Sequence, residues 1–144
     1  MSRAWIHENP AHWDDRKSEL FTSVPEGIFD IGQHEQGALI PGDWWRVEED
    51  GTILGYGWMD CTWGDAEILL VVDANCQRKG VGSFILDRLE CEAAEHGLNY
   101  VYNVVPATHP DRDALEKWLR ERRFESSHDA ERLMRRVHPE QQNR

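Results

Sequence analysis

Residues 66–82 constrain the fold of this chain more than any other stretch. They read Ala-Glu-Ile-Leu-Leu-Val-Val-Asp-Ala-Asn-Cys-Gln-Arg-Lys-Gly-Val-Gly, an apolar run that enters a glycine-containing loop. Apolar residues at helical spacing follow directly, so a strand, a short loop and a helix are predicted in this order. Such a junction combines backbone N–H groups that lack helical partners with the positive end of a helix dipole. The segment therefore predicts a phosphate-binding site.

Two common phosphate-binding loops do not fit these residues. A Walker A loop needs Gly-Lys followed by Ser or Thr, whereas Lys79 here precedes Gly80. The dinucleotide-binding fingerprint needs a third glycine three residues after Gly82, and Ile85 stands at that position. The pattern that remains is Gln77-x-x-Gly80-x-Gly82.

This remaining pattern resembles the (Arg/Gln)-x-x-Gly-x-(Gly/Ala) loop of the GNAT acyltransferases, and the resemblance extends from about residue 44 to about residue 137. In that family the loop binds the pyrophosphate of acetyl-CoA or another acyl-CoA, and the preceding strand pairs with the pantetheine through its backbone. The resemblance therefore implies acetyl-CoA as co-substrate. The cofactor-binding residues that it implies are Leu70, Val71, Val72, Gln77, Arg78, Lys79, Gly80, Val81, Gly82 and Ser83.

Periodicity and turn residues elsewhere predict an α/β fold. Residues 5–13 fit either a first strand or an irregular opening, and residues 22–42 fit an irregular loop. Helices are predicted at 14–21, from the glycine loop to a stop at His96-Gly97, and after Asp111, which is expected to cap its helix. Strands are predicted at 44–47, 52–58, 66–72, 100–105 and within 126–137, with a hairpin turn at Asp50-Gly51 between the first two. This order resembles the GNAT fold. The resemblance implies a mixed sheet with antiparallel N-terminal strands, a splayed central parallel strand pair and helices on both faces.

Length and composition set further bounds. The 144 residues, of which 40% are hydrophobic and 30% charged, fit one folded domain at residues 1–138, followed by a short flexible tail at 139–144. Because no long apolar run is present, neither a membrane span nor a leader is expected, and a cytoplasmic location follows as the default. The three cysteines and seven histidines lack the spacing of disulfide frameworks or zinc sites, so no metal is expected.

Charge and tryptophan are concentrated in the first half. Residues 1–75 contain 15 acidic and 4 basic residues, whereas residues 76–144 contain 12 of each, so the whole net charge of −11 lies in the first half. Six of the seven tryptophans lie there too. An acidic, aromatic surface attracts cations and repels nucleic acid, which favours a cationic amine acceptor. The alternative is that the carboxylates confer solubility and the tryptophans fill the core.

The candidate general base is Glu67. The run Ala66-Glu67-Ile68 resembles the Ala-Glu-Ile of histone-type GNAT enzymes, in which the glutamate takes a proton from the acceptor amine. Desolvation in an apolar strand raises the pKa of a carboxyl group, which suits a base that works near neutral pH. The alternative is a glutamate that faces outward and pairs with a neighbouring arginine.

The general acid is less well defined. Many family members carry a tyrosine in the last helix that protonates the CoA thiolate, but Leu119 stands at that position here, and Arg123 replaces a glycine of the same motif. Leucine has no proton to donate. Tyr102 is therefore the candidate acid, with Tyr56 or water as alternatives.

The resemblance implies an N-acyltransferase that moves an acetyl group from acetyl-CoA to a primary amine, such as a cationic small molecule or a lysine side chain. Neither nucleic acid nor a membrane is an expected partner, and a homodimer is one option for the oligomeric state. Because the family tyrosine is replaced, a second hypothesis stands beside the first. It is a non-catalytic acyl-CoA-binding module that regulates a protein partner.

Overall fold

The computed structural model describes residues 3–21, 37–40, 42–76, 80–105, 111–126 and 132–137. The residues predicted to form the tail, 139–144, lie outside these ranges. The elements are β1 (Arg3–Glu8), α1 (Asp15–Phe21), β2 (Asp43–Glu49), β3 (Thr52–Thr62), β4 (Asp65–Val72), a short 3₁₀ turn (Ala74–Cys76), α2 (Val81–Glu95), β5 (Tyr100–Val104), α3 (Arg112–Arg120), β6 (Glu125–Ser126) and β7 (Arg132–Arg136).

The strands follow the order β1-β2-β3-β4-β5-β7-β6. Strand β1 pairs antiparallel with β2, and β2 pairs antiparallel with β3. Strand β7 pairs antiparallel with both β5 and β6, whereas β4 and β5 run parallel. The predicted mixed α/β sheet, with antiparallel N-terminal strands and a parallel central pair, is confirmed.

Local signals place several element boundaries as predicted. Helix α1 begins after Asp14, whose Oδ1 accepts a hydrogen bond from the backbone N–H of Lys17 at 2.8 Å, as an N-terminal cap does. The β2–β3 hairpin turns at Asp50 and Gly51, which both adopt positive φ angles, 54° and 80°. This is the requirement of a type I′ turn, and it explains the Asp-Gly pair.

Helix α2 ends at a glycine cap. Gly97 has a φ of 70°, and its N–H donates to the carbonyl of Ala94 at 3.0 Å, while the N–H of Leu98 donates to the carbonyl of Ala93 at 3.0 Å. These two bonds define a Schellman motif.

Helix α3 begins directly after Asp111, as predicted. The expectation that the Asp111 side chain caps this helix was wrong, because it makes no capping hydrogen bond.

The chain divides into two compact units. The first comprises Met1–Asp60 and Leu69–Leu89, the second Cys61–Ile68 and Glu90–Arg144, so that β4 contributes to both. The assignment of residues 1–138 to a single domain stays a prediction.

The core of the first unit is rich in aromatic residues. Trp13, Trp44 and Tyr56 are buried together with Leu20 and Val71. Trp44 and Tyr56 meet edge to face at a centroid distance of 6.1 Å, an arrangement that aromatic rings favour. These tryptophans therefore fill the core, as the alternative interpretation of the tryptophan content proposed.

The expectation of a tryptophan-rich surface was wrong. Trp45 is also buried, Trp5 and Trp58 are half-buried, and Trp118 of α3 is half-buried too. Trp63, at the turn between β3 and β4, is 98% exposed, and no other described tryptophan is exposed to a comparable degree.

The second unit holds a buried ion pair. Arg135 of β7 donates from Nη2 to Oε2 of Glu90 of α2 at 2.7 Å, and the side chains are 6% and 1% exposed. Val101 of β5 and Leu133 of β7 are almost fully buried as well. Burial alternates along β7, so one face of this strand packs in the core. Because Arg135 lies on that face, its buried charge depends on the ion pair with Glu90.

Candidate functional site

The predicted phosphate loop is described at its two ends. Gln77, Arg78 and Lys79 lie outside the described residues, between the turn Ala74–Cys76 and Gly80. Gly80 has a φ of 78°, a backbone conformation that residues other than glycine adopt only with strain. A Cβ atom there would lie 3.8 Å from its nearest neighbour, Nη1 of Arg3. The backbone conformation, and not crowding, therefore requires glycine at this position.

Helix α2 starts directly after this glycine. The N–H of Phe84 donates to the carbonyl of Gly80 at 3.0 Å, which is the first bond of the helical ladder. Val81, Gly82 and Ser83 form the first turn, whose N–H groups lie at the positive end of the helix dipole. Val81 is 1% exposed and anchors this end in the core. The described part of the loop fits an anionic phosphate group.

Arg3 is a candidate phosphate-binding residue that the sequence did not indicate. Besides lying next to Gly80, its guanidinium lies 5.9 Å from the ring centroid of Phe84 in the first turn of α2. Its Nε donates to Oε2 of Glu49 at 3.3 Å, so the positive charge is oriented by a carboxylate. Arg3 stands on β1, far from the loop in sequence, and no local pattern links the two.

Asp73, immediately after β4, is a second residue that sequence reasoning missed. Its Oδ1 accepts the N–H of Asn75 at 2.8 Å, and its Oδ2 accepts from Nη2 of Arg16 at 2.5 Å. The hydrogen bond from Asn75, followed by that from Arg16, holds the pKa of the Asp73 carboxyl below its usual value. The carboxylate form is thus the one that the fold favours at the start of the loop.

The predicted pantetheine-binding segment of β4 lies in the first unit. Leu70 and Val72 are half-buried and Val71 is buried, so the side chains alternate as in a strand. Earlier in β4, the consecutive residues Ile68 and Leu69 are both buried, so the alternation of buried and half-buried side chains is interrupted there. Ile68 is the last residue of this segment in the second unit, and Leu69 is the first in the first unit. The role of Leu70, Val71 and Val72 toward pantetheine stays a prediction.

Glu67 and Tyr102 lie opposite each other in the second unit. Their Cα atoms are partners in the parallel register of β4 and β5, and neighbouring strands lie about 4.8 Å apart. Opposite residues project from the same face of a sheet, so the two side chains leave β4 and β5 on the same side. Both residues are half-buried. Their roles as base and acid stay predictions.

The parallel register ends directly after this pair. Glu67–Tyr102 is the last pair between β4 and β5 in the described register. At the next position the side-chain Nδ2 of Asn103 donates to the backbone carbonyl of Ile68 at 2.7 Å. The Asn103 side chain thus makes a hydrogen bond at the position where backbone pairing between β4 and β5 would otherwise continue. Two parallel strands that splay apart must stop pairing at some point, and pairing stops here.

Arg132 of β7 is a further residue that sequence reasoning missed. Its guanidinium carbon lies 4.3 Å from the centroid of the Tyr102 ring, well within the range of a cation–π contact. Its Nε atom is buried and has no hydrogen-bond partner among the described residues. Arg132 therefore places a positive charge beside the candidate acid.

The structure argues against Tyr56 as the acid. Its side chain belongs to the buried aromatic cluster of the first unit and is 1% exposed. Burial raises the pKa of the Tyr56 phenol, and the charges of Asp14 and Glu8 raise it further. A phenol with a raised pKa releases its proton less readily. Leu119, at the position of the family tyrosine, is 3% exposed and packs in the interior.

Among the described residues, no group of three or more His, Cys, Asp or Glu side chains is arranged to hold a metal ion. None of the three cysteines forms a disulfide bond. Within the same ranges, no helix combines the length and the apolar character that a membrane crossing needs.

Several solved structures share this fold. The N-acetylglutamate synthase from Neisseria gonorrhoeae, complexed with coenzyme A and N-acetyl-glutamate, aligns with a TM-score of 0.70 at 18% identity, over 94% of this chain and 35% of that one. Ard1 from Thermoplasma volcanium aligns with a TM-score of 0.66 at 17% identity, over 94% and 99%. An N-acetyltransferase from Staphylococcus aureus Mu50 gives a TM-score of 0.54 at 21% identity, over 67% and 68%. This chain thus spans about a third of the Neisseria enzyme.

At the level of sequence, no curated protein gives a significant match. The family description "Acetyltransferase (GNAT) domain", however, matches residues 41–124, more than half of the chain. The match includes the β2–β3 hairpin, strand β4, the loop with Gly80 and helix α2. The chain therefore belongs to the GNAT acetyltransferase family.

Proposed function

We propose that this protein is an N-acyltransferase that moves an acetyl group from acetyl-CoA to a primary amine, either a cationic small molecule or a lysine side chain. Membership of the GNAT family indicates acyl transfer from acyl-CoA in general. The observation that carries the proposal is the junction of β4 and α2, where Gly80 with its positive φ leads into a helix N-terminus. This geometry suits the pyrophosphate of an acyl-CoA.

In the proposed mechanism Glu67 accepts a proton from the acceptor ammonium, so that the amine nitrogen regains its lone pair. The amide bond forms at the thioester carbon, and the carbon–sulfur bond breaks. Tyr102 donates a proton to the departing thiolate, and the second proton that the nitrogen must lose as the amide forms returns to the Tyr102 phenolate. The position of these two residues opposite each other on one face of the sheet supports the assignment, because both proton transfers concern atoms of the same reacting group.

The cationic character of the acceptor is supported by charge. The excess of 11 carboxylates over basic residues lies entirely in the first 75 residues. A field of one sign raises the local concentration of oppositely charged ligands and their association rate. An amine that carries one or more additional positive charges is therefore the proposed acceptor class.

A second candidate function is favoured by Leu119. This residue is buried at the position of the family's thiolate-protonating tyrosine and offers no proton. A protein that retains the acyl-CoA site but lacks the acid would serve as a regulatory module for a protein partner. Trp63, which is 98% exposed, is the available aromatic anchor for such a partner.

The test combines calorimetric titration of the purified protein with acetyl-CoA and CoA and a thiol-release assay against a panel of cationic amines. Binding together with amine-dependent thiol release is the expected result. Binding without release on any amine would favour the regulatory module. A protein that does not bind acetyl-CoA would contradict both functions.

Tyr102→Phe is expected to lower kcat roughly tenfold, because water must then supply the proton that the phenol donates. The change removes one oxygen atom and keeps the ring against Arg132, so acetyl-CoA affinity should stay constant. Steady-state thiol release at saturating acetyl-CoA measures the effect. Tyr100→Phe is the matched control, because Tyr100 lies on the same strand and is 38% exposed. Equal activity of the two variants would remove Tyr102 from the mechanism.

A further inference from the structure

Arg16 connects helix α1 to the end of β4 within the first unit. Its Nη2 donates both to Oδ2 of Asp73 and to the backbone carbonyl of Ile53, each at 2.5 Å. Its Nε donates to the same carbonyl at 3.2 Å. The remaining nitrogen, Nη1, pairs with Oε2 of Glu19 at 2.9 Å. One guanidinium thus joins a helix, the strand β3 and the residue that follows β4.

Asp73 is held through all of its polar groups. Its backbone N–H donates to the carbonyl of Leu54 at 2.8 Å, and its backbone carbonyl accepts from the N–H of Cys76 at 2.8 Å. Its Oδ1 accepts from the N–H of Asn75, and Oδ2 accepts from Arg16. These four hydrogen bonds restrain Asp73 and, through the N–H groups of Asn75 and Cys76, the turn Ala74–Cys76 that follows it.

This turn is the entrance to the phosphate loop. Three residues separate Cys76 from Gly80, where the chain enters helix α2. A turn that is already fixed on folding loses little further conformational entropy when a ligand binds beside it, whereas a flexible turn would lose more. The bonds to Asp73 are therefore expected to lower the entropic cost of acyl-CoA binding at this turn.

We propose that Arg16 and Asp73 form a clasp through which helix α1 fixes the turn Ala74–Cys76, from which the chain leads into the acyl-CoA phosphate loop. The proposal rests on the acyl-CoA site of the proposed function. In this proposal Arg16 and Asp73 are positioning residues for acyl-CoA, because they act on the turn Ala74–Cys76 and need not touch the reacting atoms.

The expected effect follows from the exposure of the pair. The side chains of Arg16 and Asp73 are 26% and 16% exposed, so solvent screens their attraction only in part. Removing one partner of a charged hydrogen bond in such a setting should weaken acetyl-CoA binding roughly tenfold. The value of kcat at saturating acetyl-CoA should change by less than about twofold, because the bound state is the same.

The experiment uses Asp73→Asn, Arg16→Gln and the double variant, with the dissociation constant for acetyl-CoA measured by calorimetry. Asparagine keeps an oxygen that accepts from the N–H of Asn75, but it places an NH2 group, which cannot accept a hydrogen bond, where Oδ2 accepts from Arg16. Each single change should raise the dissociation constant, and the double change should raise it no further. Faster hydrogen exchange at the amides of Asn75 and Cys76, measured without ligand, should accompany the loss.

Glu19→Gln is the matched control. It removes the exposed ion pair between Arg16 and Glu19 and leaves the bonds of Arg16 to Asp73 and Ile53 in place. It should bind acetyl-CoA with the affinity of the unmodified protein. Equal affinity in all the variants, or additive losses in the double variant, would overturn the clasp while the transferase proposal stands. Absence of acetyl-CoA binding by the unmodified protein would overturn both.

Discussion

Replacing Glu67 with glutamine should lower kcat for acetyl transfer by roughly 10²- to 10⁴-fold, the range that a positioned general base contributes. Glutamine has the shape of glutamate but accepts no proton at neutral pH. The amine would then remain protonated and lack the lone pair that attacks the thioester. The dissociation constant for acetyl-CoA should stay within about twofold, because a group that acts only in the chemical step leaves ground-state binding unchanged.

Asp65→Asn is the matched control for this variant. Asp65 lies two residues before Glu67 on β4, and its Cα partner is Tyr100 rather than Tyr102. The substitution removes the same charge from the same face of the strand. Thiol release by Asp65→Asn should match that of the unmodified protein. An unchanged kcat in Glu67→Gln, with the control equally active, would exclude Glu67 as the base.

The elements that were predicted correctly are those with local causes. Asp50 and Gly51 make a hairpin turn because a type I′ turn needs two positive φ angles, and this requirement is visible in two letters of sequence. Gly97 ends α2 for the same kind of reason. The strand-loop-helix order around Gly80 likewise follows from apolar periodicity and one glycine. In each case the determining residues lie within a few positions of one another.

The contacts that sequence reasoning missed join residues far apart in the chain. Arg3 reaches Gly80, and Arg16 reaches Asp73, only because the sheet brings β1, α1 and the end of β4 together. Arg132 reaches Tyr102 through the pairing of β7 with β5. An arginine next to a carboxylate or a ring is common in any sequence. No spacing rule identifies its partner before the register is known.

The tryptophans show a second limit of sequence reasoning. Trp44 and Trp45 are neighbours on β2, so their side chains project from opposite faces of the sheet, yet both are buried. Trp44 packs against Tyr56, whereas Trp45 stacks on Trp5 at a centroid distance of 5.6 Å. Both faces of β2 are covered at these two positions, so both tryptophans are buried. The excess of tryptophan therefore indicated a two-sided core rather than a binding surface.

Lys17 is the buried charge whose loss should affect stability most. Its side chain is fully buried, and its Nζ donates to Oε1 of Glu8 at 2.6 Å, to the carbonyl of His12 at 2.9 Å and to Oδ2 of Asp14 at 3.1 Å. Three donors thus have three acceptors. The ring centroid of Tyr56 lies 4.8 Å from the ammonium and adds a cation–π contact.

Lys17→Met should lower the free energy of unfolding by about 3–5 kcal/mol, the cost of removing one partner of a buried ion pair. Methionine has a similar length and fills the space, so the loss reports on charge more than on a cavity. Glu8 would keep its bond to Arg46 at 3.2 Å but lose its buried partner. Denaturant unfolding, followed by tryptophan fluorescence, measures the change. Since small domains are stable by only about 5–15 kcal/mol, the effect should be large.

Two further variants decide whether the ion pair causes this loss. Lys117→Met, at an exposed lysine of α3, should change stability by less than about 0.5 kcal/mol. Glu8→Gln combined with Lys17→Met should cost less than the sum of the two single changes, by about 1–3 kcal/mol, because the second substitution removes a carboxylate that the first has left without its lysine. Additive losses in that double variant would mean that Lys17 and Glu8 stabilise the first unit independently. Equal stability of Lys17→Met and Lys117→Met would mean that the favourable contacts of the buried ammonium only compensate for its loss of hydration.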